Sequence, residues 1–150
     1  MTELLFYQLQ RQPLESALPG LLERSLERGW RVVVQAASEE RVEALDARLW
    51  TYREDSFLPH GTARDRDAPD HPIVLTAGDD NVNGARVRFL VDGAPLPAAV
   101  QDYDRLVLMF DGNDEIALAD ARTRWHQAKE LGLDVTYWQQ DENGRWERMR

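Results

Sequence analysis

Four side chains near the C-terminal end of this 150-residue sequence have types and spacing that suit binding chemistry. These side chains are Arg122, Trp125, His126 and Lys129. They are spaced i, i+3, i+4 and i+7, which places them in one stripe along the surface of a predicted helix. From Ala121 to Leu131 there are three cations and one acid, whereas the whole chain has a net charge of -9. Cations beside an indole favour an acidic peptide that carries an apolar or aromatic group. The alternative is that the cations only complement the helix dipole while Trp125 covers the sheet edge.

Small residues define another face of the same helix. At 100° per residue this face spans about 80° and comprises Ala117, Ala121, Ala128 and Leu131. We expect it to pack on a sheet, which places the stripe with Trp125 roughly 120° away on the exposed side. Arg124 falls on the packed face, where its aliphatic stem would have to extend to the edge.

A second constellation is aromatic and falls in a polar segment. The segment from Leu49 to Gly61 reads LWTYREDSFLPHG and contains Trp50, Tyr52 and Phe57. These rings have two interpretations: they fold back over the sheet as a lid, or some of them form an exposed apolar patch for a protein partner. The residues alone leave both interpretations open.

Histidines and acids in the next segment raise the question of a metal site. One predicted loop contains His60, Asp65, Asp67, Asp70 and His71. We expect no metal there, on the interpretation that no pair of these residues has the i, i+4 spacing of a helix or the i, i+2 spacing of a strand that would preorganise ligands. The neighbouring arginines would also repel a cation. A small metal-dependent hydrolase that uses residues 60–71 is nevertheless the second hypothesis for the function.

Other signatures of catalysis or cofactor binding do not occur in the sequence. It contains no cysteine, which excludes disulfides, thiol catalysis and cysteine-ligated metals. No serine lies in a GxSxG motif, and no segment matches the GxxxxGK phosphate loop followed by Ser or Thr. The turn after the first predicted strand has no glycine. We therefore expect no catalytic residue and no cofactor.

The charge and hydropathy of the chain bear on its partners. Because 27 acidic residues outnumber 18 basic ones, direct binding to nucleic acid would need a local basic patch, so contact with DNA is expected to be indirect. The longest apolar run, Leu106–Phe110, is far shorter than the roughly 20 residues that span a bilayer. We expect a cytoplasmic protein with no membrane contact. The length favours one domain over residues 1–150.

Alternating strand and helix patterns must position these side chains. Short apolar runs predict strands at residues 4–7, 31–35, 73–75, 87–91, 106–110 and 135–138, with a closing hairpin near Trp146. Helical spacing predicts helices at residues 14–26, from a cap at Ser38 to Leu49, and from a cap at Asn113 to about Leu131. Pro19 either bends the first helix or begins it.

The order of these elements defines the predicted fold class. Strands separated by helices indicate βαβ crossovers, so we expect an α/β fold with a mostly parallel sheet and helices on both faces. The fold would be Rossmann-like but without a nucleotide site. Residues 51–72, where periodicity disappears, are predicted to form one long loop.

Five segments give the sequence a resemblance to a known family. They are LWTYREDSFLPHG (Leu49–Gly61), NVNGARVRFLVDG (Asn81–Gly93), LVLMFDG (Leu106–Gly112), ARTRWHQAKELG (Ala121–Gly132) and YWQQDENGRWE (Tyr137–Glu147). Across nearly its whole length the chain resembles the chi subunits of bacterial DNA polymerase III, which are accessory proteins of the clamp loader. The resemblance implies an α/β domain without a nucleotide and a non-catalytic role in DNA replication.

The resemblance also implies two partner surfaces. Trp50 and Phe57 match a surface for the psi subunit of the clamp loader, or for a repair helicase in some bacteria. The helix stripe matches a site for the acidic, phenylalanine-ended C-terminal tail of the single-stranded-DNA-binding protein. His126 departs from the family pattern, which usually has lysine directly after the aromatic residue. Because histidine is mostly neutral at neutral pH, we expect tail binding that is weaker or more sensitive to pH.

Overall fold

The computed structural model describes residues 2–52 and 58–150. Within these residues eight strands form one sheet, accompanied by three α-helices. The strands are β1 (Glu3–Leu9), β2 (Val32–Gln35), β3 (Gly61–Thr62), β4 (Ile73–Thr76), β5 (Val87–Leu90), β6 (Arg105–Asp111), β7 (Asp134–Gln140) and β8 (Trp146–Arg148). The helices are α1 (Leu14–Glu27), α2 (Glu39–Thr51) and α3 (Glu115–Glu130).

The sheet has the strand order β3-β4-β2-β5-β6-β1-β7-β8. All neighbouring strands are parallel except β7 and β8, which pair antiparallel as the predicted closing hairpin. The predicted α/β fold with a mostly parallel sheet is therefore confirmed. None of the described helices is long and apolar enough to cross a membrane.

Alternation along β6 shows how the helices are distributed over the two faces. Val107 and Met109 belong to the core that contains α1 and α2, whereas Leu106, Leu108 and Phe110 belong to the core that contains α3. Successive side chains of a strand point to opposite faces, so a continuous apolar run is what a strand buried on both faces requires. Helices on both faces are confirmed as well.

The ends of the helices correct two details of the prediction. The first helix begins at Leu14, so Pro19 lies inside it rather than at its start. Ser38 caps α2 as predicted, its hydroxyl accepting a hydrogen bond from the Arg41 amide at 3.3 Å. The expected cap of α3 at Asn113 is wrong: Asp114 caps this helix and accepts from the Ile116 amide at 2.9 Å. An aspartate there satisfies the free amides and also places a negative charge at the positive end of the helix dipole.

The segment predicted as one long loop contains regular structure. The short strand β3 pairs with β4, and residues Ala68–Asp70 form a turn of 3₁₀ helix. Two-residue strands and single turns carry no periodicity that a sequence pattern could reveal.

A fully buried arginine anchors the loop between β4 and β5. Arg88 donates to the Gln35 side-chain oxygen at 2.7 Å, to the Gly78 carbonyl at 2.6 Å and to the Tyr103 hydroxyl at 3.0 Å. It points to the opposite side of the sheet from Val87, which belongs to the core with α1 and α2. Nearly all of its hydrogen-bonding capacity is used inside the protein, so the arginine fixes a loop rather than a ligand.

Arg41 connects three elements at the surface. Its guanidinium contacts the Glu15 carboxylate at 2.8 Å and the Asp92 carboxylate at 2.9 Å. The hydrogen bond from Arg41 holds the pKa of Glu15 below its usual value. A carboxyl group with a lowered pKa stabilises the fold above its ordinary titration range, and this contribution is lost as the pH falls through the lowered value.

We therefore expect Arg41→Gln to lower the free energy of unfolding slightly at neutral pH, by less than about 1 kcal/mol because the pair is half-exposed. The difference from the unmodified protein should shrink as the pH falls through the lowered pKa of Glu15. Urea unfolding at about pH 7 and about pH 3 measures both values. A difference that persists unchanged at the lower pH would show that Arg41 acts through packing and not through its ion pairs.

Candidate functional site

Helix α3 lies close to the sheet because two of its alanines are buried. Ala121 and Ala128 belong to the core of that face, and Ala117 packs against it. Leu131, which we expected to pack with them, is 52% exposed. The helix ends at Glu130, and the chain turns away at Leu131 and Gly132, whose φ is 75°. The helical-wheel projection included Leu131 in the apolar face because it assumed that the helix continues through this residue, whereas α3 ends one residue earlier.

The position of Trp125 differs from the prediction. It does not point away from the sheet; it is half-buried, with its ring centroid 5.4 Å from that of Phe6 and 6.5 Å from that of Tyr137. Strands β1 and β7 extend beneath this side of α3, so a residue about one quarter of a turn from the alanines still contacts the sheet. The alternative interpretation, in which Trp125 covers the sheet, is correct for its packing.

A groove of about 530 Å³ nevertheless opens beside this tryptophan. It is lined by Phe6, Phe110, Leu118, Ala121, Arg122, Trp125, His126, Tyr137, Gln139, Met149 and Arg150. Its floor is aromatic, and its ionisable rim consists of Arg122, His126 and Arg150. Among the described residues no aspartate or glutamate lines it, although the chain contains 27. We call this space the α3 groove.

Three of the four side chains in the predicted stripe line the α3 groove. Arg122 and His126 are exposed at its rim and Trp125 forms one wall. Lys129 is not among the lining residues; its ammonium group lies 5.5 Å from the centre of the Trp125 ring. The lysine therefore adds positive potential and supports the indole without facing the groove directly.

The wall opposite α3 was not predicted from the sequence. Tyr137 of β7 and the segment after β8 form this wall, with the Met149 amide donating to the Tyr137 carbonyl at 2.7 Å. The Tyr137 amide in turn donates to the Arg150 carbonyl at 3.1 Å. The predicted hairpin was the available signal, because antiparallel pairing of residues after Trp146 brings them back beside Tyr137.

The crevice where Rossmann-like proteins place nucleotides has a different character. It lies where α1 and α3 leave the neighbouring strands β1 and β6 toward opposite faces, the usual ligand position in such sheets. Its volume is about 670 Å³, and its lining contains five acidic residues (Glu15, Asp92, Asp111, Asp114 and Asp120) against two arginines, Arg11 and Arg124. This excess of carboxylates disfavours a phosphate, which agrees with the missing phosphate loop.

The loop that raised the question of a metal site is more ordered than its spacing indicated. Ligand atoms of Asp65, Asp67 and His71 lie within 4.8 Å of one another. The expectation that no pair has a preorganising spacing is wrong, because Asp67 and His71 are four residues apart and Asp65 and Asp67 are two apart. The His71 ring nitrogen is 3.2 Å from the Asp67 carboxylate, and Asp65 accepts from the Thr62 amide at 2.9 Å. The turn of 3₁₀ helix is what brings the three together.

His60 does not belong to that cluster. It is buried, with one ring nitrogen 2.7 Å from the Leu58 carbonyl and the other 3.0 Å from the Asp46 carboxylate. The hydrolase hypothesis needed both histidines of residues 60–71, and the structure gives them separate partners. His60 instead supports a neighbouring ring, with its centroid 4.5 Å from that of Trp50.

The aromatic segment that begins at the end of α2 has one exposed and one half-buried ring among its described residues, so each of the two interpretations fits one of them. Trp50, at the end of α2, is 52% exposed and suits a contact patch. Tyr52 is half-buried against the core, and its hydroxyl donates to the Glu23 carboxylate, as a lid residue would. Phe57, the other residue assigned to this surface, lies outside the described residues.

Fold and grooves together define a class of protein. This is a Rossmann-like α/β domain with an acidic crevice in place of a phosphate site and an aromatic, cation-rimmed groove on the opposite side of α3, which are the features of a binding module. The chain belongs to the DNA polymerase III chi subunit (HolC) family, whose model matches residues 1–136. Members of this family are accessory, non-catalytic subunits of the polymerase, which confirms the class assigned from the sequence.

Two relatives illustrate the extent of the similarity. The chain is 25% identical over 101 residues to the probable DNA polymerase III subunit chi of Rickettsia prowazekii, covering 67% of this chain and 61% of that one. It is 36% identical over 59 residues to the DNA polymerase III subunit chi of Pseudomonas aeruginosa, covering 39% and 40%. The matched regions thus span about three fifths and two fifths of the two relatives' lengths.

Proposed function

We propose that this chi-family chain is a non-catalytic adaptor that links the clamp loader to DNA coated by the single-stranded-DNA-binding protein. The α3 groove would hold the acidic, phenylalanine-ended tail of that protein. A separate surface around Trp50 would hold the psi subunit or a repair helicase. DNA is then reached through the coating protein, and the adaptor acts in the cytoplasm with the rest of the replication machinery.

One observation carries the proposal for the tail. In a chain with a net charge of -9, the α3 groove combines an aromatic floor with three basic side chains and no acidic lining residue among those described. The phenylalanine of a tail can pack against Trp125 and Tyr137, while its carboxylates meet Arg122, His126 and Arg150. Arginine suits this role because its planar guanidinium donates two parallel hydrogen bonds to one carboxylate.

Calorimetric titration with an acidic peptide that ends in phenylalanine tests this function. We expect saturable one-to-one binding that weakens as salt is raised, because several charges act together. The matched control peptide ends in alanine and keeps every acidic residue. If the two peptides bind equally well, the aromatic floor has no role and the groove is only a cationic surface.

The histidine at the rim differs from the lysine that is usual in the family. His126→Lys places a fixed positive charge at the edge of the α3 groove. We expect this change to raise tail affinity by a few-fold, and the gain to shrink as salt is raised, because it is electrostatic. Titration of both proteins with the same peptide at two salt concentrations measures this. Equal affinities of the two proteins would show that position 126 does not contact the acidic residues of the tail.

Substitutions at the surface around Trp50 should abolish binding of its partner without affecting peptide binding in the α3 groove. Trp50→Ala removes a large exposed ring at the end of α2, and Phe57→Ala removes the second residue of that surface. We expect either change to abolish capture of a psi subunit or helicase partner while peptide binding in the groove stays unchanged. A pull-down from a mixture with both partners measures the separation. If either variant loses both partners and keeps its circular dichroism spectrum, the two partners do not bind at separate surfaces.

A further inference from the structure

A second groove lies on the α1 side of the sheet, between α1 and the strands β1, β7 and β8. Three adjacent strands place aromatic rings side by side there: Tyr7 of β1 is in register with Trp138 of β7, and Trp146 follows on β8. The Tyr7 ring centroid is 5.9 Å from that of Trp138 and 4.6 Å from that of Trp146. Between these rings and α1 is a space of about 490 Å³.

This space continues into a smaller cleft along the same face. The cleft has a volume of about 90 Å³ and shares Tyr7, Leu21 and Arg24 with the larger groove. The arginines that line the two are Arg24, Arg28, Arg105 and Arg145. No described aspartate or glutamate lines either of them. The chain therefore has a local basic patch of the kind that its overall charge gave no reason to expect.

The arginines differ in how far they are already neutralised. Arg105 is paired with the Glu3 carboxylate at 3.1 Å and lies 5.0 Å from the centre of the Trp30 ring. Arg24 and Arg145 form no ion pair with any described residue. They line the larger groove from two different elements, Arg24 from α1 and Arg145 from the β7–β8 turn. Their charges remain available to an anionic ligand.

Three arginines act on the Tyr7 hydroxyl, at the point where the groove and the cleft meet. Burial raises the pKa of the Tyr7 hydroxyl, and the positive charges of Arg105, Arg24 and Arg28 act against that rise. The point shared by the groove and the cleft is thus an aromatic ring in a positive field.

We propose that Tyr7, Trp138 and Trp146, with Arg24 and Arg145, form a binding surface for single-stranded DNA. Proteins that bind single strands without sequence preference combine cations that follow the backbone with aromatic rings on which bases stack. The groove and the cleft adjoin at Tyr7, Leu21 and Arg24, so an extended strand can follow both. The chain belongs to a family of DNA polymerase subunits, so the nucleic acid that we propose for this surface is DNA. This contact goes beyond the proposed adaptor function, in which DNA is reached only through a protein tail.

The two proposed ligands would occupy opposite faces of the same two strands. Phe6 and Tyr137 point to the α3 groove, whereas their neighbours Tyr7 and Trp138 point to the aromatic groove on the α1 side. Tail and DNA can therefore bind together without competing for a residue. Because the rest of the protein is acidic, the contact with DNA should be weak and strongly dependent on salt.

Fluorescence anisotropy of a labelled oligothymidylate, titrated with the full chain, tests this surface. We expect binding at low salt whose logarithmic slope against salt corresponds to about two or three phosphate contacts. Arg24→Gln combined with Arg145→Gln should remove most of the binding. Trp146→Ala should weaken it roughly five- to a hundredfold, the range measured for loss of one base-stacking ring. Trp146→Phe, which keeps a ring, should retain most of it and controls for folding.

The controls separate this proposal from the adaptor function and from other occupants. Arg122→Gln, which removes one positive charge from the α3 groove, should leave DNA binding unchanged. Absence of binding at low salt, or equal losses in Arg122→Gln and the double variant, would overturn the proposal. So would displacement of the oligonucleotide by oligoglutamate at equal charge concentration, because the surface would then be a site for acidic peptides. The proposed binding of the tail in the α3 groove does not depend on any of these outcomes, because the α3 groove and this surface share no lining residue.

Discussion

Replacing Arg122 by alanine is expected to weaken binding of an acidic, phenylalanine-ended peptide by roughly ten- to a hundredfold, because a charge-assisted hydrogen bond contributes about 1.5 to 3 kcal/mol. Arg122 is exposed at the rim of the α3 groove, within reach of a carboxylate whose apolar end packs on Trp125. Within residues 2–52 and 58–150 its side chain has no hydrogen bond or ion pair, so the thermal unfolding temperature should stay the same. Calorimetric titration gives the affinity, and circular dichroism gives the stability.

Arg124 provides the matched control on the same helix. It carries the same charge but lines the crevice on the other side of α3, where it donates to the Gly93 carbonyl at 3.3 Å. Arg124→Ala should change peptide affinity much less than Arg122→Ala, and Lys129→Ala should fall between them. Equal effects of the two arginine substitutions would mean that the net charge of α3, and not the groove, determines binding.

Replacing Arg88 by leucine should lower the free energy of unfolding by about 2 to 4 kcal/mol, since several buried or half-buried oxygens lose their donor at once. The Gln35 side chain and the Gly78 and Asp80 carbonyls all accept from this guanidinium. Leucine fills part of the volume but donates no hydrogen bond. Urea unfolding measures the loss.

A neighbouring arginine serves as the control for Arg88. Arg86 is exposed, and its guanidinium pairs with the Asp104 carboxylate at 2.8 Å on the surface. Arg86→Leu should leave stability close to that of the unmodified chain, because exposed ion pairs contribute little. A similar result for both substitutions would show that the buried network around Arg88 does not stabilise the loop between β4 and β5.

The fold was predictable because each element carries its own local signal. The β-branched run at Val32–Val34 and the apolar run at Leu106–Phe110 predict buried strands, and Ser38 marks the start of α2. Local signals also explain the errors. Asn113 and Asp114 are both good capping residues, and the choice between them depends on tertiary contacts: Asn113 donates to the Gln10 carbonyl at 3.0 Å.

The α3 groove was only half predictable for a geometric reason. Helical spacing identifies the side of the site that α3 contributes, because those residues are close in sequence. Tyr137, Met149 and Arg150 reach the groove through pairing between strands, and their contribution depends on the width and twist of the sheet. The burial of Trp125 was missed for the same reason, since a helical wheel does not show how far the sheet extends beneath the helix.

Arg88 and the aromatic groove on the α1 side show a further limit. An arginine in the middle of an apolar strand gives no sign of its partners, because they lie on other strands and loops. Likewise, Tyr7, Trp138 and Trp146 are far apart in sequence, and only the order β1-β7-β8 brings them together. Net charge averages over the whole chain and therefore conceals a surface whose lining residues are all basic or neutral.

Chemical-shift mapping by nuclear magnetic resonance tests the central claim most directly, because it locates the bound tail instead of measuring its affinity alone. The full chain, labelled with ¹⁵N, is titrated with the acidic, phenylalanine-ended peptide. We expect saturable shifts at the Trp125 indole and at the backbone amides of Arg122, Tyr137 and Met149, with the resonances of Trp50 and Trp146 unchanged. Shifts centred on Trp50 or on Trp146, with α3 unaffected, would contradict the assignment of the tail to the α3 groove.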